Sequence, residues 1–140
     1  MKCFDTLVVG SGISGLVCAI ELAEAGQNVA VLSKEDSVIE SNTMYAQGGI
    51  VARGEQDSPE LLAKDILRAG DNLNNIKAVE RLSDRGPRYL KDFLIDKIQV
   101  PFYQATDNSY DYTKEAAHST RRILHVKDKT GLFIQKSLVD

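Results

Sequence analysis

A glycine-rich hexapeptide near the start of the chain has the spacing of a dinucleotide-binding turn. Gly10, Gly12 and Gly15 fit the pattern G-x-G-x-x-G. The first glycine permits a tight turn out of a strand, the second lets the backbone approach a pyrophosphate, and the third allows close packing of a helix on a sheet. The helix that follows adds free N–H groups and partial positive charge at its N-terminus. We therefore expect pyrophosphate binding by Gly10, Ser11, Gly12, Ile13, Ser14 and Gly15.

The hexapeptide lies within a predicted βαβ unit. Apolar runs at Thr6–Val9 and Val29–Leu32 predict two buried parallel strands, and the residues between them have helical spacing up to a stop at Gly26. This context favours dinucleotide binding over an ordinary glycine turn but does not separate NAD from FAD. Glu35 is near the usual place of a ribose-binding acid. Ser33 and Lys34 lie directly at the strand end, so we count these two as cofactor-binding candidates.

The remainder of the chain predicts helices separated by irregular segments. Ser58 and Pro59 have the residue types of a helix cap and first turn, and Gly70 would end that helix. The expected elements are a long irregular segment over Ser33–Asp57, the helix after Ser58, helices over Lys77–Arg85 and Pro87–Asp96, loop or short strands over Pro101–Tyr112, and a final helix over Leu132–Val139. The apolar side chains of the final helix have nothing further along the chain to pack on.

Composition and charge exclude several classes of function. The chain has 140 residues and a net charge of −3 without a long basic run, which argues against nucleic acid as a partner. Cys3 and Cys18 form neither a CxxC pair nor part of a metal-type cluster, and we expect both to be small core residues. There is no signal peptide and no apolar run near the ~20 residues of a membrane helix, so we expect no membrane partner and a cytoplasmic location.

A second motif, at Ser41–Ile50, carries a family resemblance. Its sequence, SNTMYAQGGI, resembles the flavin-contacting S-x-T-x-x-A-Q-G-G-I segment of the succinate dehydrogenase and fumarate reductase flavoproteins. Paired glycines would let the backbone lie flat against a ring system, while Thr43 and Gln47 offer hydrogen bonds to its edge. The resemblance implies FAD, contacted by Asn42, Thr43, Met44, Tyr45, Ala46, Gln47, Gly48 and Gly49. Respiratory members have a covalently attached histidine where this chain has Asn42, so the implied FAD is non-covalent.

A third stretch narrows the resemblance. YTKEAAHSTRRILH, at residues 112–125, is similar to the T-R-E-G-G-H-S-x-R-R-I-L-H stretch of the L-aspartate oxidase family, and Asp128–Gly131 is similar to its D-x-T-G. The departures are Lys114 for arginine and Ala116-Ala117 for paired glycines. The resemblance runs from Phe4 to the chain end. It implies an α/β, Rossmann-like FAD-binding domain with a parallel sheet and flanking helices, and residues 1–140 would be the N-terminal part of that domain, without the capping and C-terminal helical domains.

The same resemblance implies a reaction. The family oxidises L-aspartate to iminoaspartate in the quinolinate route of NAD biosynthesis, with hydride transfer from the α-carbon to the flavin and reoxidation by oxygen or fumarate. Quinolinate synthase, which uses the product, is an implied partner. Glu115 matches the family's glutamate, and its carboxylate would pair with the substrate ammonium, a charge that succinate lacks. The family's catalytic arginine lies beyond residue 140, so we expect no catalytic residue here and no activity from this chain alone.

The sequence leaves several alternatives open. Arg121 and Arg122 could bind substrate carboxylates or form internal salt bridges, and His118 and His125 could contact substrate or make structural hydrogen bonds. The whole protein could instead be a soluble fumarate reductase. From a different class, the chain could be a non-catalytic nucleotide-binding module. We expect no metal site.

Overall fold

The computed structural model describes residues 2–140, and these form two compact units. The first unit comprises the chain up to Gln47 together with Lys129–Asp140, and the second comprises Gly48–Asp128. The first contains β1 (Thr6–Val9), α1 (Ile13–Glu24), β2 (Val29–Leu32) and α4 (Thr130–Val139). The second contains β3 (Ile50–Val51), α2 (Pro59–Ala69), α3 (Ile76–Tyr89), a π-helix (Leu90–Lys97) and β4 (Ile123–Leu124).

The predicted βαβ unit is present in the first unit. Strands β1 and β2 pair in parallel, with Thr6 opposite Val29 and Val9 opposite Leu32. Helix α1 connects them and ends at Glu24, and Gly26 follows with a φ of +86°, a left-handed conformation that favours glycine. The α/β class with a parallel sheet is thereby confirmed.

The expectation that both strands are buried was wrong. The side chains of Leu7, Val9 and Leu32 are 60%, 76% and 54% exposed. Helix α1 packs against β1 and β2, and residues 6 and 8 of β1 are less exposed than residues 7 and 9. Because successive side chains of a strand point to opposite faces, one helix covers only one face of this sheet.

Two further expectations for the first unit, the start of the final helix and the burial of both cysteines, were also wrong. The final helix begins at Thr130, two residues earlier than predicted, and it packs on α1, with Ile134 and Leu138 buried. Its apolar residues therefore pack on a helix that lies much earlier in the chain. Cys3 and Cys18 are exposed rather than part of the core.

In the second unit, α2 begins as predicted. The Ser58 side chain accepts a hydrogen bond of 3.1 Å from the Leu61 N–H, and Pro59 is the first helical residue. The predicted separation of the next two helices at Gly86 was wrong, because α3 passes through Pro87 and continues directly into the π-helix.

The helix tolerates Pro87 because of a contact outside the helix. Proline has no N–H, so the carbonyl of Ser83, four residues earlier, loses its usual helical donor. The guanidinium of Arg53 donates to that carbonyl at 2.6 Å. Pro87 itself is buried. A donor from a distant segment therefore replaces the missing helical hydrogen bond.

Two short strands are present that the sequence did not predict, and one of them, β3, lies within the segment predicted to be irregular. β3 and β4 pair antiparallel, with Ile50 opposite Leu124 and Val51 opposite Ile123. Strands of two residues are too short to show an alternating pattern. The rest of Ser33–Asp57 is irregular as predicted, and Pro101–Tyr112 is a loop with one bridge between Gln104 and Tyr110. No helix within residues 2–140 has the length and apolar character to cross a bilayer.

The cap of α2 gives a test of this part of the fold. Ser58→Ala removes the acceptor for the Leu61 N–H and should lower the free energy of unfolding by about 1 kcal/mol. Lys64→Ala removes an exposed side chain from the same helix and should change it by less than about 0.5 kcal/mol. Urea denaturation of both variants measures the difference, and equal values would show that the cap does not stabilise α2.

Candidate functional site

The glycine turn of the first unit has the geometry that its pattern predicts. Gly10 leaves β1 with a φ of +114°, and its N–H donates to the Leu32 carbonyl at 2.9 Å. A Cβ atom on Gly15 would lie 2.0 Å from the Gly10 carbonyl oxygen. Close approach of α1 to the turn therefore requires glycine at position 15.

Gly12 differs from Gly15 because packing within the chain does not require glycine at position 12. It is the N-cap of α1, with an extended backbone and without a side-chain capping bond. A Cβ atom there would lie 3.4 Å from Oγ1 of Thr43, which is an ordinary contact distance. The Thr43 hydroxyl oxygen accepts a hydrogen bond of 3.0 Å from the Ile13 N–H. The absence of a side chain at Gly12 keeps the start of α1 accessible.

A cavity of about 440 Å³ lies beside this turn. It brings together many of the predicted cofactor-binding residues, namely Gly10, Ser11, Gly12, Ser33, Lys34, Asn42, Thr43 and Tyr45. Its lining also includes Glu35, which we did not count as a candidate, and Glu40 and Ser41. The predicted residues Ile13, Ser14, Gly15, Met44, Ala46 and Gln47 are outside this lining. Of these, Ile13 and Gly15 build the turn through the contacts described above.

The polar groups of the cavity fit the adenosine diphosphate part of a dinucleotide. The hydroxyls of Ser11 and Ser33 lie 3.2 Å apart, and they adjoin the N-terminus of α1. Hydroxyls and helix N-termini suit phosphate oxygens, and carboxylates such as Glu35 suit ribose hydroxyls. The hydroxyl of Tyr45 donates to the Glu40 carboxylate, and this hydrogen bond raises the pKa of Tyr45. The lining of this cavity therefore offers hydrogen-bond donors and acceptors that suit the expected cofactor.

In the second unit, the paired glycines differ in their surroundings. A Cβ atom on Gly49 would lie 2.1 Å from Cγ2 of Ile123 and 2.5 Å from the Leu124 carbonyl oxygen. Packing against β4 alone therefore accounts for glycine at position 49. A Cβ atom on Gly48 would lie 3.3 Å from Oε1 of Glu115. The structure thus brings Gly48 and the predicted substrate-binding carboxylate together.

Arg122 forms internal salt bridges, one of the two roles left open by the sequence. Its side chain is 0% exposed and donates to Oδ1 of Asp57 at 2.8 Å and to Oδ2 of Asp65 at 2.7 Å. Its Nη1 also lies 3.0 Å from Nδ1 of His118. We refer to Arg122, Asp57, Asp65 and His118 as the Arg122 cluster. Both the arginine and this histidine have structural partners.

The Arg122 cluster holds the segment that follows Glu115. The N–H and hydroxyl of Ser119 donate to Oδ2 of Asp65 at 2.7 and 2.8 Å. One turn further along α2, Arg68 donates to the Ala117 carbonyl at 3.0 Å. Glu115 itself is exposed, and its carbonyl accepts from the His118 N–H. The loop is therefore fixed on α2 while its carboxylate stays accessible.

The other two basic candidates lie nearby on the second unit. The side chain of Arg121 is exposed, donates to the Tyr112 carbonyl at 2.7 Å and lies 3.6 Å from Asp111. The His125 ring stacks on Tyr103, with centroids 5.7 Å apart, and its Nε2 lies 3.7 Å from Asp111. Both residues have partners within the unit. Within residues 2–140, no group of His, Cys, Asp and Glu is arranged to hold a metal.

The acidity of Asp65 follows from its contacts. Burial alone would raise the pKa of its carboxyl, but the hydrogen bonds from Ser119 and Arg122 outweigh burial and hold the pKa at about 2, below the ordinary 3.8. A carboxyl whose pKa is lower in the folded state stabilises the fold fully above its unfolded pKa. That stabilisation is lost as the pH falls from 3.8 through about 2.

This linkage predicts an acid-dependent loss of stability. Asp65 should contribute on the order of 2 kcal/mol at neutral pH, and the contribution should decline between pH 4 and pH 2. Denaturation of the wild-type protein and Asp65→Asn across this range measures it. The gap between the two free energies of unfolding should be largest above pH 4 and should shrink on acidification. A constant gap would contradict the assignment.

The chain is similar in sequence to a known protein family and to individual flavoproteins. The profile of the family described as FAD binding domain matches residues 5–139. The chain is 42% identical over 130 residues to the L-aspartate oxidase of Halobacterium salinarum, covering 93% of the chain and 25% of that protein. It is 41% identical over 142 residues to the L-aspartate oxidase of Vibrio cholerae, covering 97% of the chain and 26% of that protein.

A solved structure gives the same result for the fold. The quinol fumarate reductase of E. coli matches with a TM-score of 0.88 and 27% identity over 97% of this chain and 23% of that one. The chain thus spans about a quarter of the length of the relatives that it matches. Because the match to the family profile extends over almost the whole sequence, this chain belongs to the FAD binding domain family.

Proposed function

We propose that this chain binds FAD non-covalently as the N-terminal part, residues 1–140, of the FAD-binding domain of an L-aspartate oxidase. The family match supports FAD as the cofactor. Gly10–Gly15 and the hydroxyls of Ser11 and Ser33 would hold the pyrophosphate, and Glu35 would hold the ribose. Lys34, Asn42, Thr43, Met44, Tyr45, Ala46, Gln47, Gly48 and Gly49 complete the proposed cofactor-binding residues. Asn42 has no nucleophilic ring nitrogen with which to attach the flavin.

The proposed substrate is L-aspartate, and Glu115 is the residue that would recognise it. The observation that carries this proposal is the exposed Glu115 carboxylate, which lies beside Gly48. A carboxylate pairs with the ammonium of aspartate and finds no such charge on succinate. Bound FAD supplies a two-electron acceptor for oxidation of the α-carbon. The contribution of this chain is to hold the cofactor and to select the substrate.

The wider setting belongs to the same proposal. We place the whole protein in the quinolinate route of NAD biosynthesis, in the cytoplasm, with oxygen or fumarate as electron acceptor and quinolinate synthase as the user of the product. The relationship to a fumarate reductase supports fumarate as an acceptor. The chain spans about a quarter of the length of the L-aspartate oxidases that it matches, so we propose that residues 1–140 alone do not oxidise aspartate.

Gly12→Ala tests cofactor binding separately from folding. The free protein accommodates a methyl group there at an ordinary contact distance, so the free energy of unfolding without FAD should change little. If a pyrophosphate approaches Gly12, the methyl group should weaken FAD affinity about tenfold or more, as expected for an overpacked contact. Quenching of flavin fluorescence measures the affinity.

Gly86→Ala is the matched control for this experiment. Gly86 is inside α3, where an added Cβ would meet only the flexible Leu82 side chain at 3.4 Å. This variant should keep the FAD affinity of the wild type. Equal affinities for the wild type and Gly12→Ala would refute pyrophosphate binding at this turn.

Glu115→Gln tests the substrate in the natural protein that carries this chain. Loss of a charge-assisted hydrogen bond should raise KM for aspartate about tenfold or more. The KM for fumarate should change by less than about twofold, because fumarate has no ammonium group. Glu80→Gln makes the same change on the exposed face of α3 and should leave both values unchanged. Equal increases for the two substrates would favour a soluble fumarate reductase instead.

A further inference from the structure

Gln135 is a fully buried polar residue whose position the cofactor motifs do not explain. It lies on α4 with an exposure of 0%. Its Nε2 donates to the Ser11 carbonyl at 2.7 Å and to the Val38 carbonyl at 2.9 Å. Ser11 is 124 residues away along the chain and belongs to the glycine turn, while Val38 belongs to the segment after β2. One amide therefore joins two separate backbone segments.

Both segments border the 440 Å³ cavity. Ser11 lines it directly, and Val38 lies between the lining residues Glu35 and Glu40. The amide contacts backbone carbonyls, so its effect is on the path of the chain rather than on any one side chain. Two carbonyls that share one NH₂ group are kept at a fixed separation. Gln135 thereby limits how far these two segments can move apart.

A second residue of α4 contacts the segment at Thr43–Ala46. The Gly131 N–H donates to the Ala46 carbonyl at 3.0 Å. A Cβ atom on Gly131 would lie 1.9 Å from the Thr43 carbonyl oxygen, so only glycine permits this approach. The Thr43 hydroxyl in turn accepts from the Ile13 N–H at the start of α1. The helix therefore contacts the glycine turn, the segment after β2 and the Thr43–Ala46 segment.

We propose that Gln135 and Gly131 are positioning residues for FAD. They fix the backbone segments that line or adjoin the cavity and do not contact the cofactor themselves. Both contacts are with backbone atoms of segments that line or adjoin the cavity. Loss of either contact should make the backbone segments that line the cavity more mobile, while the β1–α1–β2 unit remains folded. This inference rests on the proposed binding of FAD in this cavity and is independent of the identity of the substrate.

The experiment compares three variants on α4 of the natural protein that carries this chain. Gln135→Met keeps the length of the side chain and removes both donated hydrogen bonds. It should weaken the binding of FAD and of ADP, a probe for the pyrophosphate end, by about tenfold. Gly131→Ala should weaken both at least as much. Lys136→Met introduces the same residue as the first variant at an exposed position of the same helix, and it should stay within about twofold of the wild type.

Hydrogen exchange of the cofactor-free protein separates positioning from general destabilisation. In Gln135→Met, the amides of Gly10–Gly15 and of residues 35–40 should exchange faster, while those of α2 and α3 should be unchanged. If this variant does not fold, Gln135→Asn keeps an amide that is one methylene too short to reach both carbonyls, and it should show a smaller loss in the same direction. Unchanged affinity for FAD and ADP in a folded variant, or exchange that rises uniformly, would overturn the proposal.

Discussion

The second unit depends on how a buried positive charge is neutralised. A guanidinium without access to water is strongly destabilising unless it is paired in good geometry, and Arg122 is paired with both Asp57 and Asp65. Asp57 is also paired with Arg53, whose other nitrogen supplies the donor that Pro87 denies to Ser83. The same set of contacts therefore fixes the start of α2, the passage of α3 through proline and the approach to β4. Removal of one of these charged side chains would leave its buried partner without a counter-charge.

The loop that carries Glu115 depends on the same cluster. Asp65 uses one carboxylate oxygen to accept from Ser119 and from Arg122, so the charge that neutralises the arginine also fixes the loop. Arg68 adds a contact with the Ala117 carbonyl. A carboxylate proposed to select a substrate by charge must be held in place without being neutralised. Here Arg122 and Arg68 donate hydrogen bonds to Asp65, and Arg68 also donates to the Ala117 carbonyl. The Glu115 side chain is left exposed.

The sequence predicted the parts of the fold that depend on local patterns. The β1–α1–β2 unit, the Ser58 cap and the Gly26 stop all follow from residues close in sequence, and the structure confirms them. The prediction of two helices separated at Gly86 was wrong for a different reason, which also applies to the packing of the final helix. The helix through Pro87 depends on Arg53, and the packing of the final helix depends on α1, so both depend on partners far away along the chain. The sequence motifs did not predict a role for Gln135 for the same reason, because its partners are backbone carbonyls of distant residues.

The glycines show what a motif can and cannot specify. Gly15, Gly49 and Gly131 are required by neighbouring backbone or side chains of this chain, whereas Gly12 is not. A match to a cofactor motif does not distinguish a glycine required by packing within the chain from one that is not. The space around each Cβ position does distinguish them. The same consideration applies to Ala116 and Ala117, where the related stretch has paired glycines. Both alanines are exposed, and the hydrogen bond to Ala117 uses its carbonyl, so neither methyl group disturbs the contact that fixes the Glu115 loop. The departure from the pattern is therefore compatible with the proposed role of Glu115.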